Sequence, residues 1–110
     1  MVTTSTIIKG PLFKLTSHWT GPMGTREWRP RLVILREDSI AYYSSPETQQ
    51  RAPKGRIPTA LCEVFIPDGA GQLEFCVGVR DDPKLTYHLR AHDQQQLTEW
   101  LDALRGALGK

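Results

Sequence analysis

Four polar side chains of this 110-residue chain fall where strand alternation would otherwise place aliphatic ones: Lys14, Arg29, Arg31 and Tyr42. The clearest case is Trp28-Arg29-Pro30-Arg31-Leu32-Val33-Ile34-Leu35. Its short apolar run, rich in β-branched residues, predicts a strand. Side chains alternate in a strand, so Arg29, Arg31, Val33 and Leu35 share one face, and Trp28, Pro30, Leu32 and Ile34 the other. By the same parity Lys14 shares a face with Leu12, and Tyr42 with Ile40. Three cations and a phenol at the polar end of an apolar face suit an anion. The guanidinium fork matches phosphate or carboxylate oxygens, and phosphomonoesters carry between one and two negative charges near neutral pH. Hydrogen bonds to charged groups contribute about 1.5–3 kcal/mol each, so several together support roughly micromolar binding after association costs. The plain alternative is a pair of solvated arginines in surface ion pairs, which typically contribute about 0–1 kcal/mol.

The elements that must hold these residues are short strands. Residues 7–15 read as the first, with Gly10-Pro11 pointing to an edge position or a bulge. Residues 16–27, carrying Gly21-Pro22 and Gly24, read as a loop leading into the 28–35 strand, so Lys14 and Arg29 are expected to face each other across its base. Backbone N–H groups of that loop are further anion donors. Trp19 and Met23, near its tip, either enter the interfacial layer of a membrane, where tryptophan is favoured, or pack back on Trp28 and the rim. Strands follow at 40–44, in one or two pieces over 56–65 broken near Pro58, at 73–79 and at 85–91, with turns or loops at 37–39, 46–54, 67–71 and 81–84. Seven strands at this spacing predict a β-sandwich or small barrel. The end of the chain differs. Asp93 and Gln96 form a capping-box pattern, and Leu97, Trp100, Leu101, Leu104 and Leu108 recur at helical spacing, with Gly109 as the stop. That helix is expected to plug an open end of the barrel.

Length fits one domain: a lead-in at 1–6, a single domain over 7–108 and a tail at 109–110, in a chain that reads as a piece of a longer protein. No run of 18 apolar residues and no charged start followed by an apolar segment occurs, so neither a transmembrane helix nor a signal peptide is expected. Net charge is +2, but residues 1–56 carry +5 and residues 57–110 carry −3. Such a split polarises the molecule if the halves form different ends, and the small total argues against nucleic acid as a partner. Cys62 and Cys76 are too few and too separated for a disulfide framework or a zinc site, and read as buried free thiols of a reducing compartment. His88 and His92 are four apart, a ligand spacing only on a helix, and residues 85–91 read as strand, so no metal and no cofactor is expected. There is no Gly-rich nucleotide loop and no Ser–His–Asp or Cys–His arrangement. The chain does not read as an enzyme.

The order of these pieces resembles the pleckstrin homology (PH) domain family over residues 7–108. The likeness is carried by Lys9-Gly10-Pro11-Leu12-Phe13-Lys14, Trp28-Arg29-Pro30-Arg31 leading into Leu32–Leu35, Ile40-Ala41-Tyr42-Tyr43, Lys54-Gly55-Arg56-Ile57-Pro58, and Trp100 on the last helix. It implies a mainly β fold: a seven-stranded bent antiparallel sandwich or barrel capped by one C-terminal α-helix. Members that hold phosphoinositide headgroups look like Lys, a variable loop, then Lys/Arg-x-Arg, completed by a tyrosine in strand three and a base before strand four. That pattern falls on Lys14, Arg29, Arg31, Tyr42 and Lys54, with His18 and Arg26 as accessory donors. The resemblance therefore implies a non-catalytic module that recruits its parent protein to the anionic cytoplasmic face of membranes, cytoplasmic and reversibly peripheral. The implied ligand is PtdIns(3,4,5)P3 or PtdIns(3,4)P2. The alternative within the fold is a protein-interaction domain for a peptide or small GTPase, with weak or no lipid binding.

Overall fold

The computed structural model describes residues 5–18, 25–45 and 52–108, with backbone only at 17, 18, 25 and 26. Seven antiparallel strands, β1 (Thr6–His18), β2 (Thr25–Arg36), β3 (Ser39–Tyr43), β4 (Gly55–Pro58), β5 (Glu63–Phe65), β6 (Glu74–Gly78) and β7 (Thr86–Arg90), precede one helix, α1 (Gln94–Leu108). They form one sheet in the order β4-β3-β2-β1-β7-β6-β5. Its two edges, β4 and β5, do not pair, so the expected barrel is an open, wrapped sheet. A short 3-10 turn, Thr59–Leu61, joins those edges in sequence.

Parity builds the core as expected. Leu12, Val33, Leu35, Ile40, Ile57, Phe75, Val77, Tyr87 and Leu89 converge from six strands on Leu97, Trp100 and Leu104 of α1. Trp100 is 1% exposed. The opposite face of β2 and β3 carries a separate small cluster, Leu32, Ile34, Ala41 and Tyr43.

Gly10-Pro11 marks neither a sheet edge nor a bulge. β1 is the central strand, and the register shift lies between Thr6 and Ile8. Toward β7, however, β1 pairs only at Phe13 and Lys14, which leaves the earlier stretch open on that side. The N–H and C=O of one strand residue point the same way. Proline's missing donor therefore falls on the open side, where the Pro11 carbonyl accepts from Nε2 of Gln96 at 2.7 Å. The capping pattern supplies that contact. Gln96 N–H donates to Oδ1 of Asp93 (2.8 Å), while Oε1 of Gln96 accepts from the His92 N–H (2.7 Å), one residue before the expected position. One glutamine thus caps α1 and fastens it to β1. At the end of β6, Gly78 adopts φ +142°, and a Cβ there would lie 2.1 Å from the Leu85 carbonyl oxygen; only glycine fits.

Candidate anion site

The strands around the candidate residues are longer than expected. β1 and β2 stay paired from Lys14–Arg29 through Leu15–Trp28, Thr16–Glu27 and Ser17–Arg26 to His18–Thr25. The ladder thus continues through Thr16 and Thr25, beyond the strand ends expected at 15 and 28, while Gly21, Pro22 and Gly24 lie outside the described residues. Lys14 and Arg29 do face each other, but inside the hairpin rather than at the base of its loop. Trp19 and Met23 lie outside the described residues, as do the side chains of His18 and Arg26.

Extending β2 to Thr25 puts Glu27 on the same face as Arg29. Nε and Nη2 of Arg29 both donate to Oε2 of Glu27, at 3.0 and 2.7 Å, and both side chains are about half exposed. Reading 16–27 as loop left Glu27 without a face, and so hid this pair.

Lys14 lies deeper. It stands beside Leu12, which is fully buried, and its Nζ is 4.6 Å from the ring centroid of Tyr42 and 5.5 Å from that of Tyr87. Burial, then the neighbouring Arg31 cation, lower the Lys14 pKa from its ordinary value. Arg31, opposite Leu12 across the ladder, curls its Nη1 onto the Pro30 carbonyl at 2.9 Å. Its Nε is buried with no hydrogen-bond partner. Among the described residues no carboxylate lies within ion-pair distance of Lys14 or Arg31.

Tyr42 sits opposite Gly55 of β4, and its carbonyl accepts from the Lys54 N–H at 2.9 Å. Lys54 is therefore tied through its backbone to the strand that carries Tyr42, with its side chain exposed. Tyr87, which its alternating pattern marks only as a strand residue, meets Tyr42 edge-on at 5.0 Å and 82°. Burial, then Tyr42 and Cys62, raise its pKa. The signal that could have found it is parity: Tyr87 and Leu89 share the inward face of β7. The structure thus gathers Lys14, Arg31, Tyr42 and Tyr87, keeps Arg29 alongside in an ion pair, and sets Lys54 at the end of the same strand group.

The outer face is organised differently. Arg90 lies over Phe13 (4.9 Å) and Trp28 (4.7 Å), and Trp28 meets His88 edge-on at 5.2 Å. His88 and His92 point to aromatic neighbours, Trp28 and Phe13. Among the described residues no group of three or more His, Cys, Asp or Glu could hold a metal, and no helix is long and apolar enough to cross a membrane.

The fold is a wrapped, open seven-stranded sheet capped by one C-terminal helix with a buried tryptophan, and the model of the PH domain family matches residues 6–109. The chain belongs to the PH domain family. It is 29% identical over 104 residues to pleckstrin homology domain-containing family A member 8 of Canis lupus familiaris, covering 91% of this chain and 18% of that protein. It is 27% identical over 88 residues to the ceramide transfer protein of Homo sapiens, covering 80% of this chain and 13% of that one. The chain therefore spans less than a fifth of the length of these two relatives. Among solved structures it is similar to the C-terminal PH domain of pleckstrin in complex with D-myo-Ins(1,2,3,5,6)P5, with a TM-score of 0.69, 26% identity, and 97% of this chain and 99% of that chain covered. PH domains are typically non-catalytic modules that bind lipids or proteins.

Proposed function

We propose that this PH domain is a non-catalytic phosphoinositide-binding module that recruits its parent protein to the cytoplasmic face of membranes, favouring 3-phosphorylated inositides. The observation that carries this reading is the relation of Lys14 to Arg31. Lys14 is half-buried, and burial and then the Arg31 cation disfavour its charge; among the described residues neither makes an ion pair with a carboxylate, and the buried Arg31 Nε is unpartnered. Buried polar groups are ordinarily satisfied, and an anion bridging Lys14 and Arg31 satisfies both. Arg29, Tyr42 and Lys54 complete the headgroup site in this reading. His18 and Arg26 are accessory donors, and Trp19 and Met23 enter the interface. The solved pleckstrin PH domain, which holds an inositol pentakisphosphate, supports the ligand class.

Calorimetric titration with soluble Ins(1,3,4,5)P4, Ins(1,3,4)P3 and Ins(1,4,5)P3 tests this. The expected result is roughly micromolar or tighter binding of the first two, weaker binding of the third, and affinity that falls with added salt. Equal or undetectable binding of all three contradicts it. A second reading has its own observation. Leu61 (56% exposed) and Ile66 (51%) flank the edge strand β5, which suits a docked protein segment. Binding of that kind is insensitive to inositol phosphates and is lost on changing Leu61 and Ile66 to polar residues.

A further inference from the structure

We propose that Tyr87, backed by Gly55, is a positioning residue of this anion site: with Tyr42 it forms an aromatic clamp that fixes the Lys14 ammonium at the mouth. The inference rests on the headgroup reading above and adds a part of the site on an element not so far assigned to it.

Tyr42 comes from β3 and Tyr87 from β7, with β2 and β1 between them in the sheet. Wrapping of the sheet brings the two rings edge to face at 5.0 Å. Lys14, on β1, reaches over both, at 4.6 Å and 5.5 Å. The rings have that room only because residue 55 is glycine. A Cβ there would stand 2.4 Å from Cε1 of Tyr42 and 2.7 Å from the Tyr87 hydroxyl oxygen. Three strands, β3, β4 and β7, therefore cooperate to place one ammonium.

The arrangement solves a chemical problem. A lysine stem is flexible, and ordering it on binding weakens affinity. A carboxylate could order it beforehand but would neutralise it, as Glu27 does to Arg29. Aromatic faces attract a cation through their quadrupole without cancelling its charge. Lys14 is thus held in place and still available to an anion. The fall in its pKa through burial and Arg31 agrees with a cation kept in place without a counter-charge.

The test uses Tyr87→Phe, Tyr87→Leu and Gly55→Ala, each read by NMR of the Lys14 side chain and by calorimetry with Ins(1,3,4,5)P4. In the wild type the Lys14 Hε protons are expected to resonate upfield of those of the other lysines, because Nζ, one bond beyond their carbon, lies over both rings. Tyr87→Phe keeps the ring, and so keeps both signal and affinity. Tyr87→Leu and Gly55→Ala, which remove or displace a ring, return the signal toward the ordinary position and weaken binding about two- to fivefold. If Tyr87→Leu does not fold, Gly55→Ala decides. Wild-type affinity and an unmoved Lys14 signal in the ring-disrupting variants that fold overturn the clamp while leaving the headgroup reading intact. A wild type with ring-shifted Lys14 that binds no inositol phosphate overturns the headgroup reading and the clamp's role in it.

Discussion

The Arg29 guanidinium is held by the Glu27 carboxylate, two residues earlier on the same face of β2, through Nε at 3.0 Å and Nη2 at 2.7 Å to one oxygen. Arg29 is therefore occupied in a way that Lys14 and Arg31 are not. An anion that recruits Arg29 must compete with Glu27 and approach its charge. Exposed pairs are typically worth about 0.2–1 kcal/mol, so removing the competitor gives a modest gain. Glu27→Gln is expected to tighten inositol phosphate binding about two- to fivefold, measured by calorimetry. Weaker binding in the variant would show that Glu27 positions Arg29 rather than competing for it.

Cys62 offers a pH prediction independent of any ligand. Its thiol, half-buried and 3.3 Å from the Pro58 carbonyl oxygen, is pushed by burial from an ordinary 9.0 up to about 11. The neutral form is the one the fold favours. The corresponding stability is complete below pH 9 and is lost as pH rises through about 11. Alkylation follows the thiolate fraction. At pH 8 iodoacetamide should react about a hundredfold more slowly with Cys62 than with the same residue in the urea-unfolded chain, and the rate should climb about tenfold per pH unit toward pH 10. Mass spectrometry of the labelled peptide measures this. A rate equal to that of the unfolded chain contradicts the burial.

Trp100 is the largest fully buried side chain and joins α1 to the wrapped sheet. Trp100→Ala removes that contact and leaves a cavity. The expected cost is about 3–5 kcal/mol, or a drop in Tm of at least about 12 °C for a domain of this size, read by calorimetry. A drop below about 5 °C would mean that the helix is held chiefly elsewhere, with the Gln96–Pro11 bond the first place to look.

What the sequence made legible follows from rules of fixed period. Alternation assigned Lys14, Arg31 and Tyr42 to the same face as Leu12, Val33 and Ile40, because a strand has only two faces. Helical spacing likewise placed Leu97, Trp100 and Leu104 together. What it hid depends on where periods begin and on which strands meet. Glycine and proline signals do not locate the last paired rung of a ladder, so Glu27 read as loop and its hold on Arg29 went unseen. Tyr87 read as an ordinary strand residue, because its meeting with Tyr42 needs β7 to lie beside β1 and the sheet to wrap. The open gap between β4 and β5 has the same origin: no local pattern states that two edges fail to pair. Gly10-Pro11 read as an edge position or a bulge and is neither: it pairs with Val33 and Leu32 of β2 and is open only toward β7. No local pattern states that the cap of α1, eighty-five residues later, closes that open side.

Arg31→Ala tests the central claim most directly, because Arg31 joins the half-buried Lys14 to an unpartnered Nε and makes no ion pair among the described residues. The measurement is co-sedimentation with vesicles containing a few per cent PtdIns(3,4,5)P3, alongside the melting temperature. The account predicts that binding is lost while Tm is unchanged or slightly raised, since a buried unsatisfied group and a repulsive neighbour of Lys14 are removed together. Vesicle binding that survives in a fully folded Arg31→Ala domain would contradict it.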